Sequence, residues 1–196
     1  CSQADIFAYD IQQGQEFRIT DSSLSKYDPA IYEDKVVWAE QRSGYNQYDI
    51  MLYDISTGET TQLTPEMAWR EEPDIYGNYV VWEQTRDRYT INDIFLYNLM
   101  TGETQVISSP DVVARDNPAI YGDKVVWAEQ RPGYNKHDIM LYDISTGETT
   151  QLTPEMAWRE EPDIYGDRVV WAQEREGYPI RDSYLYRINS QREKNI

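Results

Sequence analysis

Short apolar runs alternate with polar turn sequences along the whole chain. The clearest run is Val-Val-Trp, which occurs at 36–38, 80–82, 125–127 and 169–171. A run that is apolar at consecutive positions is typical of a strand covered on both faces. Turn pairs such as Gly122-Asp123, placed between Ile-Tyr and such a run, are typical of β-hairpins. The pattern predicts an all-β chain of short strands joined by tight turns.

The same unit recurs about every 44 residues. One landmark, Asp-Ile-x-Leu-Tyr and its variants, has steps of 44, 44, 45 and 44, beginning at Asp5, Asp49, Asp93, Asp138 and Asp182. A second landmark, Pro-x-Ile-Tyr up to Val-Val-Trp, recurs in the same register. Four strands, which we call A to D, are predicted in each unit, for example at 29–32, 35–40, 49–55 and 60–63.

Short strands, even spacing and polar turns predict a β-propeller. We expect four-stranded antiparallel blades in a single domain, 1–196, with four full-length repeats plus partial terminal blades. The approximate blade units are 1–27 (partial), 28–71, 72–116, 117–160 and 161–196 (partial). A stacked β-solenoid is the rival architecture, but its coils are usually shorter than this unit.

The repeat resembles that of a known family. The unit contains Pro-x-Ile-Tyr-Gly-Asp-x-Val-Val-Trp, followed by Asp-Ile-x-Leu-Tyr-Asp-Ile-Ser-Thr-Gly-Glu-Thr. This pattern is similar to the TolB-like propeller repeat, especially its form in archaeal cell-surface proteins of methanogens. The resemblance runs from Asp5 to about Ile188. It implies a scaffold whose periplasmic members bind proteins and whose surface members are envelope or adhesion modules. The hydrolase domain of the peptidase relatives has no match here, so we expect a non-enzymatic binding or surface-building module.

One stretch of the chain is copied without change. Residues 49–77 recur as 138–166, an offset of 138 − 49 = 89 residues. Two units were therefore duplicated together.

Charge narrows the classes of partner. Lys and Arg total 18 against 35 Asp and Glu, which gives a formal net charge of −17. Such a chain is a poor ligand for nucleic acid or anionic membranes and fits an extracellular or cell-surface location. No cofactor is expected beyond weak Ca²⁺ binding, because hard cations prefer oxygen ligands. His137 is the one histidine, which disfavours a catalytic triad or a histidine-built metal site.

The first residue and the absence of a long apolar run bear on membrane attachment. No apolar stretch is long enough for a transmembrane segment. Mature bacterial lipoproteins begin with cysteine, so Cys1 suggests a lipid anchor, and a fragment end is the plainer alternative.

The predicted strands are incomplete at both ends. Strands C and D come first, and strands A, B and C come last. The terminal pairs could combine into one closed blade with a surplus strand. Alternatively, an open arc could add strands head to tail and build a filament or layer, which we keep as a second function.

The candidate binding site lies on the loop face, where the D–A connectors and B–C loops of a propeller meet. Trp, Tyr and Arg are enriched at binding hot spots. The predicted protein- or glycan-binding residues are Trp69, Arg70, Trp158, Arg159, Arg42, Tyr45, Arg131 and Tyr134. The alternative is that the two tryptophans fill gaps between blades and the two connector arginines pair with carboxylates.

For the other repeated acidic residues we predict mainly structural roles. Asp49, Asp93 and Asp138 before strand C, like Asp54 and Asp143 after it, are expected to cap turns. The pairs Glu71-Glu72 and Glu160-Glu161 could support hydrolase chemistry. They occur in identical connectors, however, and an active site normally breaks a repeat, so this is the least favoured function.

Overall fold

The structure, a computed structural model, describes residues 4–44, 47–66, 68–86, 91–110, 114–130, 133, 136–154, 157–174 and 181–188. Seventeen strands in these residues form five antiparallel sheets. No α-helix occurs in the described ranges. The all-β fold class is confirmed. Nor does this part of the chain hold a helix long and apolar enough to cross a bilayer.

Three of the sheets are complete four-stranded blades. Blade 1 comprises β3 (Lys26–Tyr32), β4 (Lys35–Gln41), β5 (Tyr48–Asp54) and β6 (Glu59–Gln62). Blade 2 comprises β7 (Arg70–Tyr76), β8 (Tyr79–Thr85), β9 (Asn92–Asn98) and β10 (Glu103–Val106). Blade 3 comprises β11 (Arg115–Tyr121), β12 (Lys124–Gln130), β13 (His137–Asp143) and β14 (Glu148–Gln151).

The two terminal sheets are partial. The N-terminal hairpin pairs β1 (Phe7–Asp10) with β2 (Gln15–Arg18) and supplies strands C and D. Blade 4 has strands A to C: β15 (Arg159–Tyr165), β16 (Arg168–Glu174) and β17 (Arg181–Arg187). The hairpin and blade 4 form separate sheets. The described strands therefore form an open arrangement, not a closed blade shared between the ends.

Turn chemistry follows the sequence. Between strands A and B, Gly77 takes a left-handed φ of 58°, and Glu33 takes φ 50° at the same place in blade 1, where no glycine is present. After strand C, Asp54 Oδ1 accepts a hydrogen bond from Ser56 N at 2.9 Å, and Asp143 Oδ1 does the same for Ser145 N. The predicted turn capping by Asp54 and Asp143 is confirmed.

Each strand A carries a β-bulge that the sequence analysis did not anticipate. In blade 2 the register with strand B shifts between Glu71 and Asp74. The residue before the proline of the bulge has a left-handed φ of 51–56°, at Asp28, Glu72, Asn117 and Glu161. Left-handed φ is uncommon outside glycine, and an extra residue in one strand re-aims its side chain. The bulges place these four side chains around one cavity.

Strand B is buried on both faces. Val37 and Ala39 of blade 1 pack in one cluster with Ile75 and Val80 of blade 2. On the opposite face, Trp38 packs in a different cluster with residues of the N-terminal hairpin. The strand-B tryptophans are 0–7% exposed, at Trp38, Trp82, Trp127 and Trp171. Their predicted place in the core is confirmed.

Replacing Trp127 with alanine is expected to destabilise the fold strongly. The side chain is fully buried, and truncating a buried tryptophan typically costs about 3–5 kcal/mol. Urea denaturation measures the free energy of unfolding. Met100→Ala is the control, because Met100 is 75% exposed and its loss should change stability by less than about 0.5 kcal/mol. Equal effects of the two substitutions would contradict the packing described above.

Candidate functional site

The loop face is the end of the blades where strands A begin, strands B end and strands C begin. On this face a basic residue from one strand A reaches back to an aspartate on, or just before, strand C of the preceding unit. These ion pairs are Lys26–Asp5 at 3.1 Å, Arg70–Asp49 at 3.7 Å, Arg115–Asp93 at 3.0 Å and Arg159–Asp138 at 3.6 Å. The four pairs join successive sheets.

The same aspartates also bind an arginine from their own blade. Arg42 Nε lies 3.1 Å from Asp49 Oδ2, and Arg86 Nε lies 2.6 Å from Asp93 Oδ2. The prediction that Asp49 and Asp93 cap turns is therefore corrected, because their carboxylates bind mainly arginines. Asp138, in the third copy, is ion-paired to an arginine in the same way. The sequence analysis gave pairing of Arg70 and Arg159 with carboxylates as an alternative, which is confirmed. It did not identify the partners, which lie up to 22 residues away along the chain.

Arg70 and Arg159, two of the predicted binding residues, lie inside the blade junctions. Both are 3% exposed. Arg70 Nε donates to Gln84 Oε1 at 2.7 Å, and Arg159 Nε donates to Gln173 Oε1 at 2.8 Å. Burial lowers the pKa of Arg70 to about 10, although the charge of Asp49 opposes this shift. These contacts give both guanidinium groups a role in holding the blades together.

Trp69 and Trp158 lie at the same two junctions and are partly exposed. The ring of Trp69 meets that of Tyr48 edge-on at 5.2 Å, and the ring of Trp158 meets that of His137 at 4.8 Å. Trp158 Nε1 also donates to Glu160 Oε2 at 2.8 Å. Part of each indole therefore fills a gap between blades, as the alternative in the sequence analysis expects. Recognition of a partner by the exposed remainder stays a prediction.

Of the binding residues predicted in the B–C loops, only Arg42 lies in the part of the chain that the structure describes. The Arg42 side chain is 23% exposed beside its partner Asp49. Tyr45, Arg131 and Tyr134 lie outside the described residues.

The bulge residues surround an open cavity of about 370 Å³ between the strands A. Its lining combines acidic, amide and proline side chains: Asp28, Pro29, Glu72, Pro73, Asn117, Pro118, Glu161, Pro162 and Asp163. Glu72 spans to the next blade, because its carboxylate accepts hydrogen bonds at 2.8 Å from both the backbone N and the Nδ2 of Asn117. Glu72 thereby links strand A of blade 2 to strand A of blade 3.

A second acidic group lies where blades 2 and 3 meet. We call it the acidic junction and define it by Glu71, Glu72, Glu83 and Asn92. Burial raises the pKa of Glu83 to about 9, and the charges of Glu72 and Asp116 add to the shift. Burial also raises the pKa of Glu72 and of Asp116. This group combines buried carboxyls with little compensating positive charge.

The acidic junction was missed in the sequence analysis, although the repeat itself carries a signal. Positions equivalent to Glu83 are alanine in the other units, at Ala39, Ala128 and Ala172. A glutamate at a position that is apolar in the other units is the feature that could have identified the acidic junction.

Metal and hydrolase chemistry receive no direct support from the geometry. Among the residues that the structure describes, no group of three or more His, Cys, Asp or Glu side chains is arranged to hold a metal ion. The paired carboxylates Glu71-Glu72 and Glu160-Glu161 have different surroundings. Glu72 binds Asn117, whereas Glu160 accepts from Trp158 and pairs with Arg181.

Comparison with solved structures defines the class of fold. TolB from Acinetobacter baumannii matches with a TM-score of 0.72 at 16% identity, covering 95% of this chain and 47% of that chain. The putative TolB from Agrobacterium tumefaciens has a TM-score of 0.59 at 11% identity, with coverages of 94% and 84%. An oligogalacturonate lyase in complex with manganese has a TM-score of 0.63 at 18% identity, with coverages of 94% and 57%.

The chain therefore has the TolB-like β-propeller fold. It spans about half the length of the Acinetobacter TolB structure. No protein-family model matches it, and no curated protein sequence matches it. The narrower resemblance to the repeat of archaeal cell-surface proteins stays a prediction. Because an enzyme shares this fold with TolB proteins, the fold by itself assigns no activity.

Replacing Glu83 with glutamine is expected to flatten the dependence of stability on pH. The folded chain keeps a proton on Glu83 that the unfolded chain releases near its ordinary pKa of 4.5. This carboxyl therefore stabilises the fold fully below about pH 4.5, and its contribution is lost as the pH rises toward 9. Relative to wild type, Glu83→Gln should gain on the order of 5 kcal/mol between pH 5 and pH 9.

Urea denaturation at both pH values measures this gain. Glu103→Gln removes one exposed carboxylate from β10 of the same blade and is the matched control. Parallel pH profiles for wild type and Glu83→Gln would contradict the assignment.

Proposed function

We propose that the chain is a non-enzymatic propeller module that binds a protein partner on its loop face. The observation that carries the proposal is the placement of Trp69 and Trp158, which are partly exposed on this face in two sequence-identical connectors. Partly exposed tryptophan on a rigid scaffold is typical of binding hot spots. TolB proteins, which share the fold, support the class of module.

The expected partner follows from the chemistry around the tryptophans. Trp158 lies beside Glu160, and Arg42 lies beside Asp49, so both of these groups have a carboxylate close by. A protein surface with apolar and basic side chains complements such a face. A glycan remains the alternative ligand, because a flat indole next to a carboxylate can also bind a sugar ring.

An extracellular or cell-surface location is part of the same proposal. The net charge of −17 favours solubility in salt and disfavours nucleic acid and anionic lipid. Attachment through a lipid on Cys1 is the corresponding anchoring hypothesis, and Cys1 lies outside the described residues.

The proposal predicts that the double variant Trp69→Ala/Trp158→Ala loses partner binding. The immobilised chain is screened against a panel of surface and secreted proteins and against a glycan array. We expect protein ligands of the wild type to bind the double variant at least about 30-fold more weakly, since a hot-spot truncation costs about 2 kcal/mol or more.

Two controls separate binding from folding. Trp69→Phe/Trp158→Phe keeps aromatic packing between the blades, and circular dichroism reports whether each variant is folded. Met100→Ala, on an exposed turn of blade 2, should bind as the wild type does. Ligands retained at full affinity by a folded double alanine variant would refute the proposed surface. Selective glycan binding would replace protein with glycan as the ligand.

A self-assembling filament or layer is the second candidate, and the outer face of blade 4 favours it. Val170 is 39% exposed, whereas Val37, Val81 and Val126 at the same position are fully buried by a following blade. Tyrosines at the end of strand A form a row from blade to blade, with tilted rings and centroid spacings of 4.5–4.7 Å. Tyr165 ends this row and is 73% exposed. A second copy could cover this face by strand addition.

Self-assembly predicts a molar mass that rises with concentration. Light scattering should show oligomers of the wild type at high concentration and monomers of Leu185→Glu, which charges the 58% exposed Leu185 on the same face. Met100→Glu introduces the same charge on an exposed turn elsewhere and should assemble normally. A wild type that stays monomeric at high concentration would rule out this candidate.

A further inference from the structure

One of the three junctions between blades 1 to 4 differs from the other two in its packing. Between blades 1 and 2, Trp69 and Tyr48 pack against a cluster that includes Ala39. The junction between blades 3 and 4 has Trp158, His137 and Ala128 at the same positions. The junction between blades 2 and 3 instead has Ala114, Asn92 and Glu83. There a methyl group and a carboxamide replace two rings, and a carboxyl replaces a methyl group.

The Glu83 side chain is directed into this junction. Glu83 pairs with Ile94 across β8 and β9, and directly opposed residues of an antiparallel pair share one face of the sheet. Ile94 on that face is fully buried in a cluster with Ile120 and Val125 of blade 3. Glu83 is 6% exposed, so the side chain lies between the two blades.

One oxygen of Glu83 has no hydrogen-bond partner. Oε1 faces Asn92 Nδ2 at 3.4 Å, which is a long contact for a hydrogen bond. Oε2 is buried and accepts no hydrogen bond from the protein. A buried carboxyl that lacks a donor is costly, and such groups in native proteins call for an explanation.

Further carboxylates flank this oxygen. Glu71 is the register partner of Glu83 across β7 and β8, and Glu72 follows it. Glu71 is partly exposed, so the acidic junction reaches solvent.

We propose that the acidic junction binds a positively charged side chain of a protein partner, the ammonium group of lysine or the guanidinium group of arginine. The proposal deepens the protein-binding function above and rests on it. A cationic donor would satisfy Glu83 Oε2 and offset the surrounding negative charge.

An organic cation suits the described geometry better than a metal ion. A metal ion needs several oxygen ligands converging at about 2.0–2.6 Å, and no described carboxyl group is so arranged. Ammonium and guanidinium groups hydrogen-bond at about 2.7–2.9 Å and can contact carboxylates that are farther apart. The site also opens on the loop face, where the protein partner is expected.

The test uses the acetylated tripeptide amide Gly-Arg-Gly as the probe and Gly-citrulline-Gly as its uncharged counterpart. Calorimetry or amide chemical shifts measure binding to the folded chain. We expect binding of the arginine probe, at least about tenfold weaker binding of the citrulline probe, and a similar loss in Glu83→Ala. Alanine occurs at the equivalent positions in the other units, so this variant should fold.

Glu103→Gln, which removes an exposed charge from the same blade, should bind the arginine probe as the wild type does. Equal affinity for wild type and Glu83→Ala, or for the two probes, would overturn the proposal. Saturable binding of CaCl₂ alone that requires Glu83 would also overturn it, in favour of a metal site. If the tryptophan variants lose a protein partner while the arginine probe fails to bind, only this inference fails.

Discussion

Burial of strand B between two neighbouring sheets is the constraint on which the rest of the structure depends. Val-Val-Trp is apolar at consecutive positions, and consecutive residues of a strand point to opposite faces. Each blade must therefore be covered on both sides. Val37 and Trp38 meet this requirement through different clusters, one toward blade 2 and one toward the N-terminal hairpin. Stacking of sheets, rather than any single hairpin, stabilises the fold.

Stacking brings polar groups into the junctions, where they must find partners. Arg115 is fully buried and binds Asp93 and Glu129 from two adjacent blades. A buried charge is tolerated only when it is paired and hydrogen-bonded. The repeated arginine–aspartate pairs therefore specify how neighbouring blades align. Buried atoms of Trp38, Gln47 and His137 also have no hydrogen-bond partner, but Glu83 is the one carboxyl in this group among the described residues. It marks the junction between blades 2 and 3 as the place where the repeat is irregular.

The sequence predicted the repeat period, the strand order and the buried tryptophans because these follow from local alternation and turn chemistry. It did not predict the bulges, because a left-handed φ at Glu72 is imposed where strand A meets its partner strand. Arg70 was expected on a binding surface, yet it is buried, since its surroundings include Tyr48 and Asp49 from the preceding blade. Aligning the repeats would have shown that Glu83 stands where the other units have alanine. The alignment would not have shown that its side chain is buried.

The duplicated segment separates what the sequence determined from what the tertiary structure decided. Residues 49–77 and 138–166 are identical and form the same strands and turns, because local hydrogen bonding sets these features. Their environments differ. Tyr76 is packed between two other tyrosines, whereas its copy Tyr165 is 73% exposed. Burial depends on the blade that follows, and blade 3 follows Tyr76 whereas no described blade follows Tyr165.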